Sequence, residues 1–393
     1  TISGVYIEGS SEKTGFFKAL TATAEVCNVG IVNSYIKTNY DYAGAVAGYS
    51  YAERIENVYS DAIINSTYSA SGNWSTQSLG GIVGQMDTPS AGNTHVLSGA
   101  WFDGQINYAG NRQRIGGVVG QINDSYGSTF KLDDCLFSGE ISYEQALSSR
   151  DMAGIVPYLS GDGDGVPSEV YINNCLNTGT FTGSGTGAMG IVFDFRRVVT
   201  GTITNCYAVK SSSYTEAGKI FAGDWFEYME DSQTPTFVLL EKESLQFVTK
   251  DELLAKLPLH GEQTESAWAC NTCGSETGTP ILKTFACYYW SSAQVDTYDV
   301  SWYDKNATEY TIDSKEELYG LALLSNVTNF AGKTIKLGAD IVLNEGEATD
   351  WEAAAPANVW NPIPEFAGTF DGQGHTISGV YIEGSSEKTG FFK

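Results

Sequence analysis

Seven times the chain returns to a short glycine-led apolar phrase: GFF at 15, GAVAG at 44, GIVG at 81, GVVG at 117, GIVP at 154, GIVF at 190 and GKIF at 218. The leading glycines Gly15, Gly44, Gly81, Gly117, Gly154, Gly190 and Gly218 follow one another at steps of 29, 37, 36, 37, 36 and 28 residues. A second column runs ahead of them: IENVYSDAII from Ile55, VLSGAWFDGQI from Val96, LDDCLFSGEI from Leu132, INNCLNTGTF from Ile172 and ITNCYAV from Ile203. Within it one position is filled by Val58, Ala100, Cys135, Cys175 and Cys206, all small or medium and apolar. Two short β-like segments in so few residues cannot bury their own apolar face and must stack on the next unit. Stacked coils place equivalent residues one strand spacing apart, ~4.8 Å, so like side chains form ladders. The pattern predicts a mainly β protein, a parallel β-solenoid (β-helix) with short capping helices. The insertions at 65–78 and 160–169 become loops projecting from the rungs. A β-propeller is the alternative, but its blades need four strands and only two are clear here; the Gly-Ile-Val-Gly phrases also lack the alternation of a strand with one wet face.

Composition agrees with many short strands and tight turns: 44 Gly and 23 Tyr against 4 Met and 9 Pro. The 22 Lys and Arg face 47 Asp and Glu, a net charge of −25, which argues against nucleic acid or an anionic membrane as partner. No apolar run approaches the ~18 residues of a membrane span, so no membrane insertion is expected. The opening TISGVYIEGS has no basic region followed by an apolar stretch, and Thr1 reads as a processed or excised start. The acidic, Lys-poor, Tyr- and Asn-rich composition leans extracellular, as do the sequons at Asn65, Asn73, Asn123, Asn306 and Asn326.

The order of segments along the chain is unusual. Residues 1–224 carry the solenoid rungs, 225–290 a closing segment with a short helix in FVTKDELLAKLPLH (247–260), and 291–309 a linker. Then Ser314, with Glu317 three residues on, forms a capping box ahead of Leu318, Leu321, Ala322 and Leu324. GKTIKLGADIVLN (332–344) alternates as a strand, and EFAGTFDGQGHTISGVYIEG (365–384) holds two more. Residues 310–393 therefore read as the capping helix and first rungs of a solenoid. TISGVYIEGSSEKTGFFK occupies residues 1–18 and again 376–393 without one substitution, which places a second module 375 residues after the first.

YTIDSKEELYGLALLSN, NFAGKTIKLGADIVLN and WNPIPEFAGTFDGQGHTISGVYI, followed by recurrent GGIVG, resemble bacterial cell-surface proteins with GLUG motifs and adhesin-like β-solenoid repeats. The resemblance spans the opening signature at 310–393, GLUG-like units at roughly 15–223 and a PILK element at 279–283. Pro157 and Phe193 depart from it, standing where the unit ends in Gly. It implies an extracellular or cell-surface protein used for display or adhesion, with no catalytic residues.

Candidate chemistry is sparse. His95, His260 and His375 sit in unrelated contexts, and no triad can be assembled around them. Cys270 and Cys273 form a CxxC without the helix N-terminus of a redox motif or the second pair of a zinc site; a local disulfide, or one bridging to Cys287, fits better. Cys135, Cys175 and Cys206 read as a reduced interior ladder, because parallel register aims their side chains the same way. Asp162 and Asp164 in GDGDG (161–165) offer hard oxygens to calcium but lack the periodicity of known loops; a solvated acidic loop is the plainer alternative. Trp74, Trp101, Trp225 and the tyrosines of NYDYAG (39–44) are candidates for stacking on sugars or proteins. The expected function is a structural module of a long extracellular fibre, its partner being itself, head-to-tail or in covalent tandem. The alternative is an adhesin recognising host protein or glycan through projecting loops. A polysaccharide-acting enzyme is the weakest expectation, and no cofactor is implied.

Overall fold

The computed structural model describes the chain except for residues 10–11, 68–76, 111–112, 125, 145–151, 161–167, 184–187, 197–198, 210–236, 241–249, 272–278, 293–297, 347, 352, 361, 364, 383–389 and 393. The chain divides into two compact units. The first comprises Thr1–Ser244 with Lys256–Pro258, and the second Leu245–Ala255 with Leu259–Lys393.

The first unit is a parallel β-solenoid. Each coil contributes to four sheets, so that a strand pairs with its equivalents one coil before and after rather than with its neighbour in sequence. One coil runs through Arg54–Ser60, Ile63–Ser66, Gln77–Gly80 and Val83–Asp87. The next repeats it as Thr94–Phe102, Gln105–Tyr108, Gln113–Gly116 and Val119–Asn123, every pairing parallel. A coil thus holds four short strands where the sequence suggests two. Both apolar phrases bend at a corner, and each half joins a different sheet. Parallel pairing between coils excludes the propeller, whose blades are antiparallel.

The core is a set of ladders. Ile7, Ile36, Ile64, Ile106, Ile141 and Phe181 follow in register along the second sheet, and Ile36, Ile64, Ile106 and Ile141 are fully buried. Branched apolar side chains suit this because each rests on its own copy ~4.8 Å away, with few rotamers to lose. The residues that bend the first sheet form a column too. Asn28, Asn57, Asp134, Asn174 and Asn205 all have φ between 49° and 56°, and Gly99 has 58°. Asn, Asp and Gly are the residues that tolerate left-handed backbone. Asn57 Nδ2 donates to Asn28 Oδ1 (3.2 Å) and Asn174 Nδ2 to Asp134 Oδ1 (3.3 Å), so the amides are laddered as well.

The second unit holds helix α1 (Lys250–Lys256) up to Ala255, and an antiparallel pair, Trp268–Cys270 with Pro280–Leu282. It continues with α2 (Lys283–Ser292), α3 (Lys315–Leu324) and two small parallel sheets. The expected capping box is present: Ser314 Oγ accepts from Glu317 N (3.2 Å), and Glu317 Oε2 accepts from Ser314 N (3.1 Å). Glu309–Ile312, Thr334–Leu337 and Thr369–Asp371 make one parallel sheet, and Ile341–Val342 with Ile377–Ser378 the other.

Two expected segments divide differently. Described residues of 225–290 do not form one closing piece: Phe237–Leu240 extends the first solenoid sheet on Cys206–Val209, and most of the remainder belongs to the second unit. Lys256–Pro258 stays with the first unit, where Pro258 O accepts from Asn174 Nδ2 (2.7 Å) and Lys256 O from Tyr207 Oη (3.2 Å). The described part of 291–309 is no free linker. Asp299 N donates to Glu316 O (2.8 Å), and Trp302 and Tyr303 pack on Tyr310.

Candidate functional site

Three features bear on function: the interior columns, one polar cluster, and the two copies of the repeated eighteen residues.

The glycine column exists because coils approach closely at the corner between the third and fourth sheets. A Cβ on Gly117 would come closer than 3.0 Å to Gly154 O and the Phe137 ring; on Gly81 it would meet Gly117 O and the Phe102 ring. Gly154 and Gly190 continue this column, with Gly190 O against the Cβ position of Gly154. Gly44 does not belong to it. The pairings Leu79↔Ala43 and Val83↔Ala47 put Gly44 in register with Gly80, and Ala45 with Gly81. The sequence steps mislead there because this coil carries two consecutive glycines, and strand register selects the first. Gly218 lies outside the described residues.

Cys135, Cys175 and Cys206 are free, fully buried and stacked in line with Val29, Val58 and Ala100. Each thiol sits against carbonyls, Leu97 O at 3.7 Å for Cys135 and Leu132 O at 3.5 Å for Cys175. Burial pushes the Cys175 thiol well up, and the neighbouring thiols add to it. Cys270 and Cys287 are also thiols, not disulfide-bonded, both raised to about 11 by burial. The bridges expected for these two are not formed, and Cys273 lies outside the described residues.

The polar cluster surrounds Asp87. Its carboxylate accepts from Tyr49 Oη, Gln85 Nε2 (3.1 Å), Asn123 Nδ2 (3.3 Å) and Thr88 N (2.7 Å). With four donors it is a satisfied interior group, fastening three successive coils. Asp103 differs. Trp101 Nε1 donates to Ser138 Oγ (2.7 Å), which donates to Asp103 Oδ1 (2.5 Å), yet burial above all, with Asp61 nearby, holds this carboxyl up at about 6.

Of the aromatic ligand-binding candidates that are described, Tyr40 is exposed and Tyr42 half-buried. Trp101 is fully buried against Tyr59 and cannot stack on a sugar. Asp162, Asp164, Trp74, Trp225 and the Asn73 sequon lie outside the described residues. Asn65 is half-buried in the ladder, donating to Tyr35 Oη (2.5 Å) and accepting from Asn107 (2.7 Å); among the described sequons Asn306 alone is exposed. His95 is buried, its Nδ1 on Ala52 O (2.9 Å) and its ring over Phe130, while His375 closes a turn through Gly372 O (2.7 Å). Among the described residues no group of three or more His, Cys, Asp or Glu is placed to hold a metal ion, and no helix is long and apolar enough to cross a membrane.

The repeated segment is the informative place. In the first copy, Ile2–Ser3, Tyr6–Glu8, Lys13–Thr14 and Phe17–Leu20 are the terminal strands of all four solenoid sheets, each paired with the coil that follows. In the second copy, Ile377–Ser378 pairs with Ile341–Val342, and Phe392 bridges to Ile363, both in the coil that precedes. Among the described residues the backbone atoms in use do not coincide. The first copy engages Gly4 N, Val5 O, Gly9 N, Thr14 O, Phe16 N and Phe17 N. The second engages the carbonyls of Thr376, Ser378, Tyr381 and Phe391, which correspond to Thr1, Ser3, Tyr6 and Phe16. Aromatics divide likewise: Phe391 stacks on Trp360 at 4.4 Å, whereas its counterpart Phe16 leans on Phe17 and is 38% exposed. This division of labour was invisible in the sequence, although the identity of the two segments pointed to the place.

In comparison with known proteins, no family model, no curated protein and no solved structure matches the chain.

Proposed function

We propose that this chain is a non-catalytic structural module of a long extracellular surface fibre, in which 375-residue units repeat in tandem. The observation that carries the reading is the use of opposite edges by two identical segments. The described residues of 376–393 are laid on a preceding coil and those of 1–18 under a following coil, as one stretch would be midway through a continuous stack. Each unit then supplies the coil that the next one needs, and no sheet edge is left open at the joints. The resemblance to GLUG-motif surface proteins supports the cell-surface setting.

The test is the mass and shape of the native material. Surface extracts on a denaturing gel are expected to give a band far above 42.3 kDa, and electron micrographs filaments with one module-length period. A chain of single-module mass appearing only as isolated particles overturns the proposal. Adhesion through the insertions at 65–78 and 160–169 is the second reading; of its candidate aromatics that are described, Trp101 is buried, Tyr42 half-buried and Tyr40 exposed.

A further inference from the structure

Resting on the extracellular reading, we propose that Asn306 is the acceptor of an N-linked glycan, and that the other described Asn-X-Ser/Thr triplets are not acceptors.

Besides the triplet, an acceptor must offer a side-chain amide with no other duty, on a surface loop that a transferase can reach. Asn65 fails on both counts, lying in the strand Ile63–Ser66 with Nδ2 donating to Tyr35 Oη. Asn123 ends the strand Val119–Asn123 and gives Nδ2 to Asp87 (3.3 Å). Asn326 follows α3 and gives Nδ2 to Leu323 O (3.0 Å). Asn306 differs. It stands outside helix and strand, in a turn closed by Ala307 N on Asp304 O (2.9 Å) and Asn306 N on Asp304 Oδ1 (2.9 Å). The turn is anchored through its carbonyls. Lys333 Nζ donates to Lys305 O (2.8 Å) and Ala307 O (2.6 Å), and Tyr310 Oη donates to Asp304 O (2.6 Å). The Asn306 side chain takes no part in this anchoring: it makes no hydrogen bond among the described residues, and both Asn306 and Thr308 are exposed. Tandem stacking leaves the place open as well. Glu309–Ile312 is an edge strand of its sheet, and later coils add beyond Thr369–Asp371, at the opposite edge.

The donor required is an oligosaccharide carried on a lipid diphosphate. Asn306 Nδ2 bonds to the anomeric carbon, and the bond from that carbon to the phosphate oxygen breaks. The lipid diphosphate leaves with the electron pair, and the amide gives up one proton. With one acceptor in each 375-residue module, the glycans would be evenly spaced along the fibre.

The experiment digests native surface material and reads its peptides by mass spectrometry with electron-transfer fragmentation. The peptide bearing Asn306 is expected to carry sugar bonded at that residue, and those bearing Asn65, Asn123 and Asn326 to be bare. In the source organism, Asn306→Gln and Thr308→Ala should each abolish the sugar. The second variant keeps the amide, so its loss of sugar marks enzymatic transfer and not a chemical adduct. A bare Asn306 peptide in native material, sugar on Asn65, Asn123 or Asn326 instead, or sugar retained after either substitution overturns the proposal. Gel mass and micrographs of the same material keep the two readings apart: bare Asn306 on filaments of tandem mass sinks this inference alone.

Discussion

Gly117 shows how single atoms fix the repeat. Its Cβ position is filled by Gly154 O and the Phe137 ring, so Gly117→Ala must push two coils apart. A cost of about 1–3 kcal/mol is expected, read from the denaturant midpoint of the solenoid unit. Asp103 supplies a pH dependence. Its folded pKa of about 6 lies above the unfolded value of about 4, so the fold binds this proton the more tightly. Stability should therefore rise as pH falls from about 6 to about 4, and be unaffected by this group outside that window. Asp103→Asn should remove that dependence and raise stability at pH 7, by up to about 3 kcal/mol. Chemical denaturation of both proteins at pH 7 and pH 4 checks it, the difference between them vanishing at pH 4.

At the scale of elements, α3 carries the clearest local signal. Its capping box closes on Ser314 and Glu317, and Leu318, Leu321, Leu323 and Leu324 are buried behind it. Ser314→Ala should cost about 1 kcal/mol, measured on the unfolding of the second unit. This helix was legible because capping and periodicity are written in neighbouring residues. Strand count was not. The corner at Gly81 and Gly117 is made within a continuous apolar phrase and not by a polar turn, so one phrase reads as one strand though it serves two sheets. The left-handed column of Asn28, Asn57, Asp134, Asn174 and Asn205 was open to view one residue ahead of the small apolar column. Its meaning depends on a backbone angle that composition does not display.

At the scale of the whole molecule, the repeat announced the solenoid, since units too small to bury themselves must stack. The candidate site was only half legible: two identical segments marked it, but which edge each presents depends on partners 29 and 36 residues away in sequence. Stacking like coils also makes the solenoid modular, with stability gained coil by coil. If 1–18 and 376–393 are one coil position seen from its two sides, a joined pair of modules must satisfy both edges at once.

Amide hydrogen exchange tests that most directly, comparing the 393-residue chain with a two-module chain in which residues 19–393 follow Lys393. In the longer chain the amides of Gly379, Phe391 and Phe392 should gain the protection of their counterparts Gly4, Phe16 and Phe17, which donate to Val32 O, Ala45 O and Val46 O. Exchange at these three amides as fast in the two-module chain as in the single one would contradict the account.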